Sequence, residues 1–220
     1  MTFSAATQLG LYNGALRMCG ATRLQTLTDN IESRYVLDDA WSDGQGAVNG
    51  ILEQGLWYFA KRTSQLTADS AITPNFGYGK AFEKPADWVR TMAICQDPYF
   101  RTPLTAFSDE AGYFYSDLDI LYVGYVSSDP AYGGNPGLWP ETFSRAFHGY
   151  LAARVIRKLT AGDEQKIEAV QKEALMLLKD ARSKTAMNES TSFPPVGSWL
   201  RARWGNFSSR DGGDQNSLYG

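Results

Sequence analysis

The sequence has few of the residues that form disulfides or bind metal ions. Its 220 residues include two cysteines, Cys19 and Cys95, and a single histidine, His148. Each cysteine lies beside an apolar residue and no C-x-x-C pair occurs, which predicts two reduced, buried thiols. Because a structural zinc site needs about four cysteine or histidine ligands, no metal site is predicted, and we expect no cofactor.

The sequence also lacks long apolar runs and a strong excess of positive charge. No stretch approaches the ~18 uninterrupted apolar residues of a membrane span. The first twenty residues lack the basic region and apolar core of a secretory signal, so we expect a soluble protein made inside the cell. The net charge of −3 argues against a surface that wraps duplex DNA, because such surfaces neutralise phosphates. The same charge is compatible with a protein that forms a channel through which DNA passes.

No catalytic motif is present: the sequence contains no G-x-S-x-G, P-loop, H-E-x-x-H or dinucleotide G-x-G-x-x-G. Asp117 and Asp119 would share one face of a strand, and paired carboxylates can hydrolyse glycosides. At a hairpin tip, however, aspartates are usually turn formers. We therefore expect no enzymatic activity. The aromatic content of 13% and the scattered carboxylates leave a glycan-binding or glycan-hydrolysing protein as the alternative.

Helical periodicity dominates the start of the chain. Apolar residues spaced by three and four predict a first helix over Ser4–Cys19, with Gly20 as its stop. A second helical stretch is predicted to open at Asp29, where Asp29 would cap the helix and Glu32 would complete a capping box. Gly44, Gly46 and Gly50 interrupt that stretch, which predicts a kink or a close helix approach.

The middle of the chain predicts β structure. The aromatic segment Trp57–Leu66 predicts a strand. The segment Pro85–Ile94 predicts a short helix, because proline favours the first helical position. The β-rich runs of Gly112–Val126 predict a hairpin around Ser116–Asp117, and Ser127–Gly137 predicts a loop.

Two further helices are predicted in the second half. In the first, from Trp139 to Thr160, apolar residues recur every fourth position: Phe143, Phe147, Leu151, Val155 and Leu159. After a tight turn, the second carries an apolar stripe of Ile167, Val170, Ala174, Leu177 and Ala181.

Together these elements predict an α+β fold that is mainly α. The expected architecture is a four-helix bundle with a β-rich insert between the second and third helices and an extended C-terminal tail. The predicted division assigns the first two helices to residues 1–56 and the insert with its short helix to 57–137. It assigns the last two helices to 138–188 and a docking tail to 189–220.

The tail is aromatic but has no helical or alternating period. Tryptophan, tyrosine and arginine are the residue types that dominate protein interfaces. The tail has three arginines and two aspartates, Asp211 and Asp214. Its excess of positive charge is therefore too small to bind nucleic acid. We expect it to bind a protein partner, although composition also allows it to pack on the chain's own body. The predicted partner-binding residues are Trp199, Leu200, Arg201, Arg203, Trp204, Phe207 and Tyr219.

Four segments in this order resemble a known family. They are LYNGALRMCGATRLQTL at residues 11–27, LEQGLWYFAKR at 52–62, the P-x-D-W-V-R motif at 85–90, and ETFSRAFHGYLAARVIRKLT at 141–160. The chain resembles the head-to-tail adaptors of tailed bacteriophages, of the tail tubular protein A type. The resemblance covers most of the chain. The tail of this chain is longer and richer in tryptophan and arginine than the family requires.

The resemblance implies a ring of about twelve subunits beneath the portal protein, at the head–tail junction of a virion assembled in the host cytoplasm. The ring would hold the next tail component, a nozzle or tube protein. DNA would pass through its lumen without specific binding, which an acidic chain would favour. The helices and C-terminal extension would face the portal, and the β-rich part would face the tail.

Overall fold

The computed structural model describes residues 7–44, 46–72, 74, 77–160 and 162–188. Within these ranges five α-helices and two three-stranded antiparallel sheets form. The helices are α1 Gln8–Cys19, α2 Glu32–Ser42, α3 Ala47–Leu52, α4 Glu141–Leu159 and α5 Glu164–Ala186. The strands are β1 Lys61–Thr67, β2 Lys80–Glu83, β3 Trp88–Cys95, β4 Ser108–Glu110, β5 Tyr113–Ser116 and β6 Ile120–Ser127.

The predicted fold class is wrong. The structure is an α/β arrangement, not a four-helix bundle with a β insert between the second and third helices. One reason is that the second predicted helix is divided into α2 and α3. Gly44 and Gly46 lie between them with φ of 63° and 86°, a left-handed region that ends a helix. All six strands of the described residues therefore lie between the third and fourth helices.

A side-chain cap sets the start of the first helix, but not of the second. At α1, Thr7 accepts a hydrogen bond from the backbone N–H of Gly10 at 3.2 Å, and the helix ends at Cys19 as predicted. The predicted cap at Asp29 is wrong. Its carboxylate instead accepts from the backbone N–H groups of Gln25, at 2.6 Å, and Thr26, at 3.1 Å. Asp29 therefore closes the preceding turn, and α2 begins three residues later.

Except for the neighbours β4 and β5, the strands pair across long stretches of sequence. One sheet has the order β1-β6-β3 and the other the order β2-β5-β4. The predicted hairpin is therefore wrong, because β5 and β6 lie in different sheets and the chain crosses between them near Ser116–Asp117. The predicted strand at Trp57–Leu66 is displaced. Trp57 is buried in the core, Tyr58–Ala60 forms a 3₁₀ turn, and β1 begins at Lys61.

The predicted short helix over Pro85–Ile94 is also wrong. Pro85 begins a turn in which its carbonyl accepts from the backbone N–H of Trp88 at 2.9 Å. Strand β3 follows directly and pairs with the central strand β6. Its β-branched residues, among them Val89 and Thr91, favour a pleated strand over a helix.

The two C-terminal helices form where they are predicted. Asp163 caps α5 by accepting from the backbone N–H of Lys166 at 3.3 Å. Helices α4 and α5 approach closely at Gly149, where a Cβ would lie 2.9 Å from the Cα of Ala174. Small residues at this crossing let the two helix backbones pack against each other.

The described residues bury two apolar clusters. The larger one joins all five helices to Val126 of β6, and its centre is a set of edge-to-face aromatic rings. The rings of Trp57 and Trp139 lie 4.7 and 4.8 Å from that of Phe143. The smaller cluster joins both sheets, with Phe82 and Phe114 from one and Leu121, Val123 and Tyr125 from the other among its members.

A polar network around Asp87 fastens the turn before β3 to the sheet. The Asp87 carboxylate accepts hydrogen bonds from Arg62 Nη1 at 2.9 Å, from the hydroxyl of Tyr125 at 3.1 Å, and from the hydroxyl of Ser127. Burial by itself raises the pKa of the Asp87 carboxyl, but these donors outweigh it and hold the pKa below its usual range. Asp87 thus connects β1 and β6 at the end of the sheet.

We predict that Asp87→Ala destabilises the protein by about 1–3 kcal/mol, because it leaves the Tyr125 and Ser127 hydroxyls without their acceptor. The matched control is Asp119→Ala, since Asp119 pairs with Lys80 but its side chain is 90% exposed. We expect the control to cost less than about 0.5 kcal/mol. Urea unfolding measures both, and equal losses would contradict the structural role of Asp87.

Candidate partner interface

All seven predicted partner-binding residues lie outside the described residues. They are Trp199, Leu200, Arg201, Arg203, Trp204, Phe207 and Tyr219, and the described chain ends at residue 188. Their assignment to a partner stays a prediction. The surfaces that follow belong to the described part of the chain.

Helix α5 carries apolar side chains on its solvent side. The run Leu175–Leu178 places four apolar residues in succession, and a helix cannot turn all four toward its core. Leu177 and Leu178 pack against the larger cluster, whereas Leu175 is 68% exposed and Met176 is 58% exposed. Large apolar side chains exposed together are typical of a surface that is covered by a partner.

An apolar groove adjoins this run. It has a volume of about 310 Å³ and lies between α4 and α5. We call it the α4–α5 groove; it is lined by Gln54, Ala146, Tyr150, Ala153, Gln171, Ala174, Leu175 and Leu178. The side chains of its three alanines are short and leave space in the groove, where a side chain of a partner could be buried. Sequence analysis missed this surface, although the run of four apolar residues was a signal for it.

A second candidate surface is the loop between β3 and β4, which carries an exposed tyrosine. The Asp97 carboxylate accepts from the backbone N–H groups of Tyr99, Arg101 and Thr102, and the shortest of these hydrogen bonds is 2.6 Å. Phe100 takes a positive φ of 57°, which costs backbone energy. The loop presents Tyr99 with 76% of its surface exposed. A rigid loop loses little entropy when it binds.

The carboxylates considered for catalysis have local roles. The Asp117 carboxylate accepts from the backbone N–H of Gly79 at 2.8 Å, and Asp119 pairs with Lys80. Both aspartates are exposed where the chain crosses from one sheet to the other. Their contacts stabilise this crossing.

Cys19 and Cys95 are both buried and unpaired, as predicted. Burial raises the pKa of the Cys19 thiol to about 11, so the thiol stays protonated near neutral pH. His148 lies half-buried on α4 against α1. Burial lowers its pKa, as do the nearby charges of Arg17 and Arg145, while Glu141 acts in the opposite direction.

None of the helices in the described ranges is long and apolar enough to cross a membrane. In the same ranges, no three His, Cys, Asp or Glu side chains stand where they could share a metal ion. Comparison of the sequence with protein-family models and with curated proteins found no match.

We predict that His148 makes the protein less stable in mild acid. Its pKa in the folded protein is below the ordinary value of 6.5, so the unfolded chain binds the extra proton more readily. The free energy of unfolding should therefore fall as the pH drops through about 6.5. His148→Gln should flatten this dependence between about pH 7.5 and 5.5. Because His148 is the only histidine, an unchanged slope would contradict its assignment.

Proposed function

We propose that the protein is a structural head-to-tail adaptor of a tailed bacteriophage. It forms a ring of about twelve copies beneath the portal protein and joins the capsid to the tail component below. DNA passes through the centre of the ring, and the protein has no enzymatic role. It resides in the virion, at the head–tail junction.

The observation that carries this proposal is the exposed apolar run on α5 beside the α4–α5 groove. A protein that functions as a free monomer gains nothing from exposing Leu175 and Met176, whereas a ring subunit buries such residues against a neighbour or the portal. The four sequence segments that resemble the adaptor family favour an adaptor ring over other kinds of protein complex.

Two further surfaces support the proposed partners. The aromatic C-terminal segment supplies candidate anchors for the portal, led by Trp199 and Trp204. The Tyr99 loop belongs to the β-rich part of the chain, which is the part proposed to face the nozzle or tube protein. Tyrosine and tryptophan are both enriched among residues that dominate binding energy.

We predict that Leu175→Asp prevents assembly while the subunit stays folded. A carboxylate at this exposed position costs little in the monomer but is desolvated in an interface. Light scattering after size-exclusion chromatography measures the particle mass, alone and with the portal protein encoded in the same genome. The control is Ala169→Asp, another exposed position on α5 that lies outside the groove.

We expect the wild-type and Ala169→Asp proteins to form a ring and the Leu175→Asp protein to stay monomeric. A wild-type protein that stays monomeric with the portal would contradict the adaptor. If that monomer hydrolysed a polysaccharide and lost activity in Asp117→Asn, the glycan-active alternative would replace it.

We predict that a chain ending at Glu189 keeps its fold but binds the portal weakly. All described members of the larger apolar cluster lie between residues 9 and 181, so the shortened chain keeps each of them. Circular dichroism and thermal unfolding test the fold, and portal pull-down tests docking. In the full chain, Trp199→Ala and Trp204→Ala should each weaken binding by about 2 kcal/mol. Unfolding of the shortened chain would show that the tail belongs to its own core.

A further inference from the structure

A basic pocket lies between α1 and α4, away from the α4–α5 groove. It has a volume of about 680 Å³. We call it the α1–α4 pocket; it is lined by Gly10, Asn13, Gly14, Arg17, Gly20, Ala21, Arg23 and His148. No carboxylate is among these residues. The pocket is therefore a concave surface of one charge sign in a chain whose net charge is −3.

The close contact of Gly14 with His148 brings two arginines together. A Cβ on Gly14 would lie 2.4 Å from Cδ2 of the His148 ring, so only glycine allows this approach. Arg17 follows Gly14 by three residues on α1, and Arg145 precedes His148 by three residues on α4. Residues three apart share a helix face, so both arginines lie on the helix faces that carry the contact. Arg17 lines the pocket, and Arg145 is not among its lining residues. Both charges act on the His148 ring.

A third arginine comes from the loop after α1, and this loop is fixed. The Asn13 side chain accepts from the backbone N–H of Leu24 at 2.7 Å and donates to its carbonyl at 3.1 Å. The Leu24 side chain is buried in the larger cluster. Arg23, the preceding residue, is thereby held at the rim of the pocket rather than left on a free loop.

These three arginines lack acidic partners. Within the described ranges, no carboxylate lies within 4.0 Å of Arg17, Arg23 or Arg145, whereas Arg34 and Arg62 each form such an ion pair. Glu141 also acts on the His148 ring, in the direction opposite to Arg17 and Arg145, and offsets part of their charge. The remaining excess of like charge costs free energy. An anion bound in the pocket would offset it.

We propose that the α1–α4 pocket binds a phosphate group through Arg17, Arg23 and Arg145. Guanidinium groups form paired hydrogen bonds with phosphate oxygens. Arg17 and Arg23 line the pocket, and Arg145 lies close enough for its charge to act on His148. The phosphate comes from the DNA backbone or from a small phosphate compound. Only the DNA source rests on the proposed function, since the pocket lies within one subunit and needs no ring.

The test measures binding of inorganic phosphate to the full-length protein by isothermal titration calorimetry in low-salt buffer. The test variant is the double substitution Arg17→Ala and Arg145→Ala. The matched control is Arg157→Ala with Arg182→Ala, because both are exposed helix arginines outside the pocket without a carboxylate within 4.0 Å. The control removes the same charge.

We expect the test variant to bind phosphate at least about tenfold more weakly and the control to change it less than about twofold. Absence of phosphate binding by the wild-type protein, or equal loss in both variants, would overturn the proposed site.

The source is decided with a short fluorescent DNA duplex and fluorescence anisotropy. Duplex binding that phosphate displaces and that the test variant loses assigns the site to the DNA backbone. Phosphate binding without competition by DNA supports the site and rules out that source. Particle mass with the portal is measured on the same preparations, so failure of the adaptor proposal is seen separately from failure of the phosphate site.

Discussion

The close approach of α4 to its neighbours is the constraint on which the described fold depends. On one side Gly14 of α1 leaves room for the His148 ring, and on the other Gly149 leaves room for Ala174 of α5. A methyl group at either glycine would push a helix away, and overpacking of this kind costs about 1–3 kcal/mol. Because α4 also carries Phe143 and Phe147 into the aromatic centre, displacing it would disturb the whole larger cluster.

The same helix positions both surfaces to which a function is assigned. Its face toward α5 supplies Ala146, Tyr150 and Ala153 to the apolar groove, and its face toward α1 supplies His148 to the basic pocket. One surface is apolar and the other is positively charged, so they suit different ligands. Since both are held by a rigid helix, a ligand at either one meets a surface whose shape is already formed.

Sequence periodicity predicts helices, whose contacts are local, and fails for strands that pair with residues far away in the sequence. Helices α4 and α5 follow from apolar spacing. Strand β3 does not, because the pairing of Trp88–Cys95 with β6 joins residues 27 to 39 positions apart. The Gly14–His148 contact has no local signal for the same reason. The groove could have been found, since Leu175–Leu178 is too long an apolar run for one buried face.

The exposed apolar residues of α5 also bear on how a ring would form. Fully burying a leucine or methionine side chain contributes about 1.5–3 kcal/mol, so Leu175 and Met176 could stabilise one contact only modestly. A single contact of this size would not hold two copies together at low concentration. In a closed ring, however, every copy makes the contact twice, once on each side. Weak contacts on α5 would therefore favour assembly on a portal that has already gathered the copies, over premature association in solution.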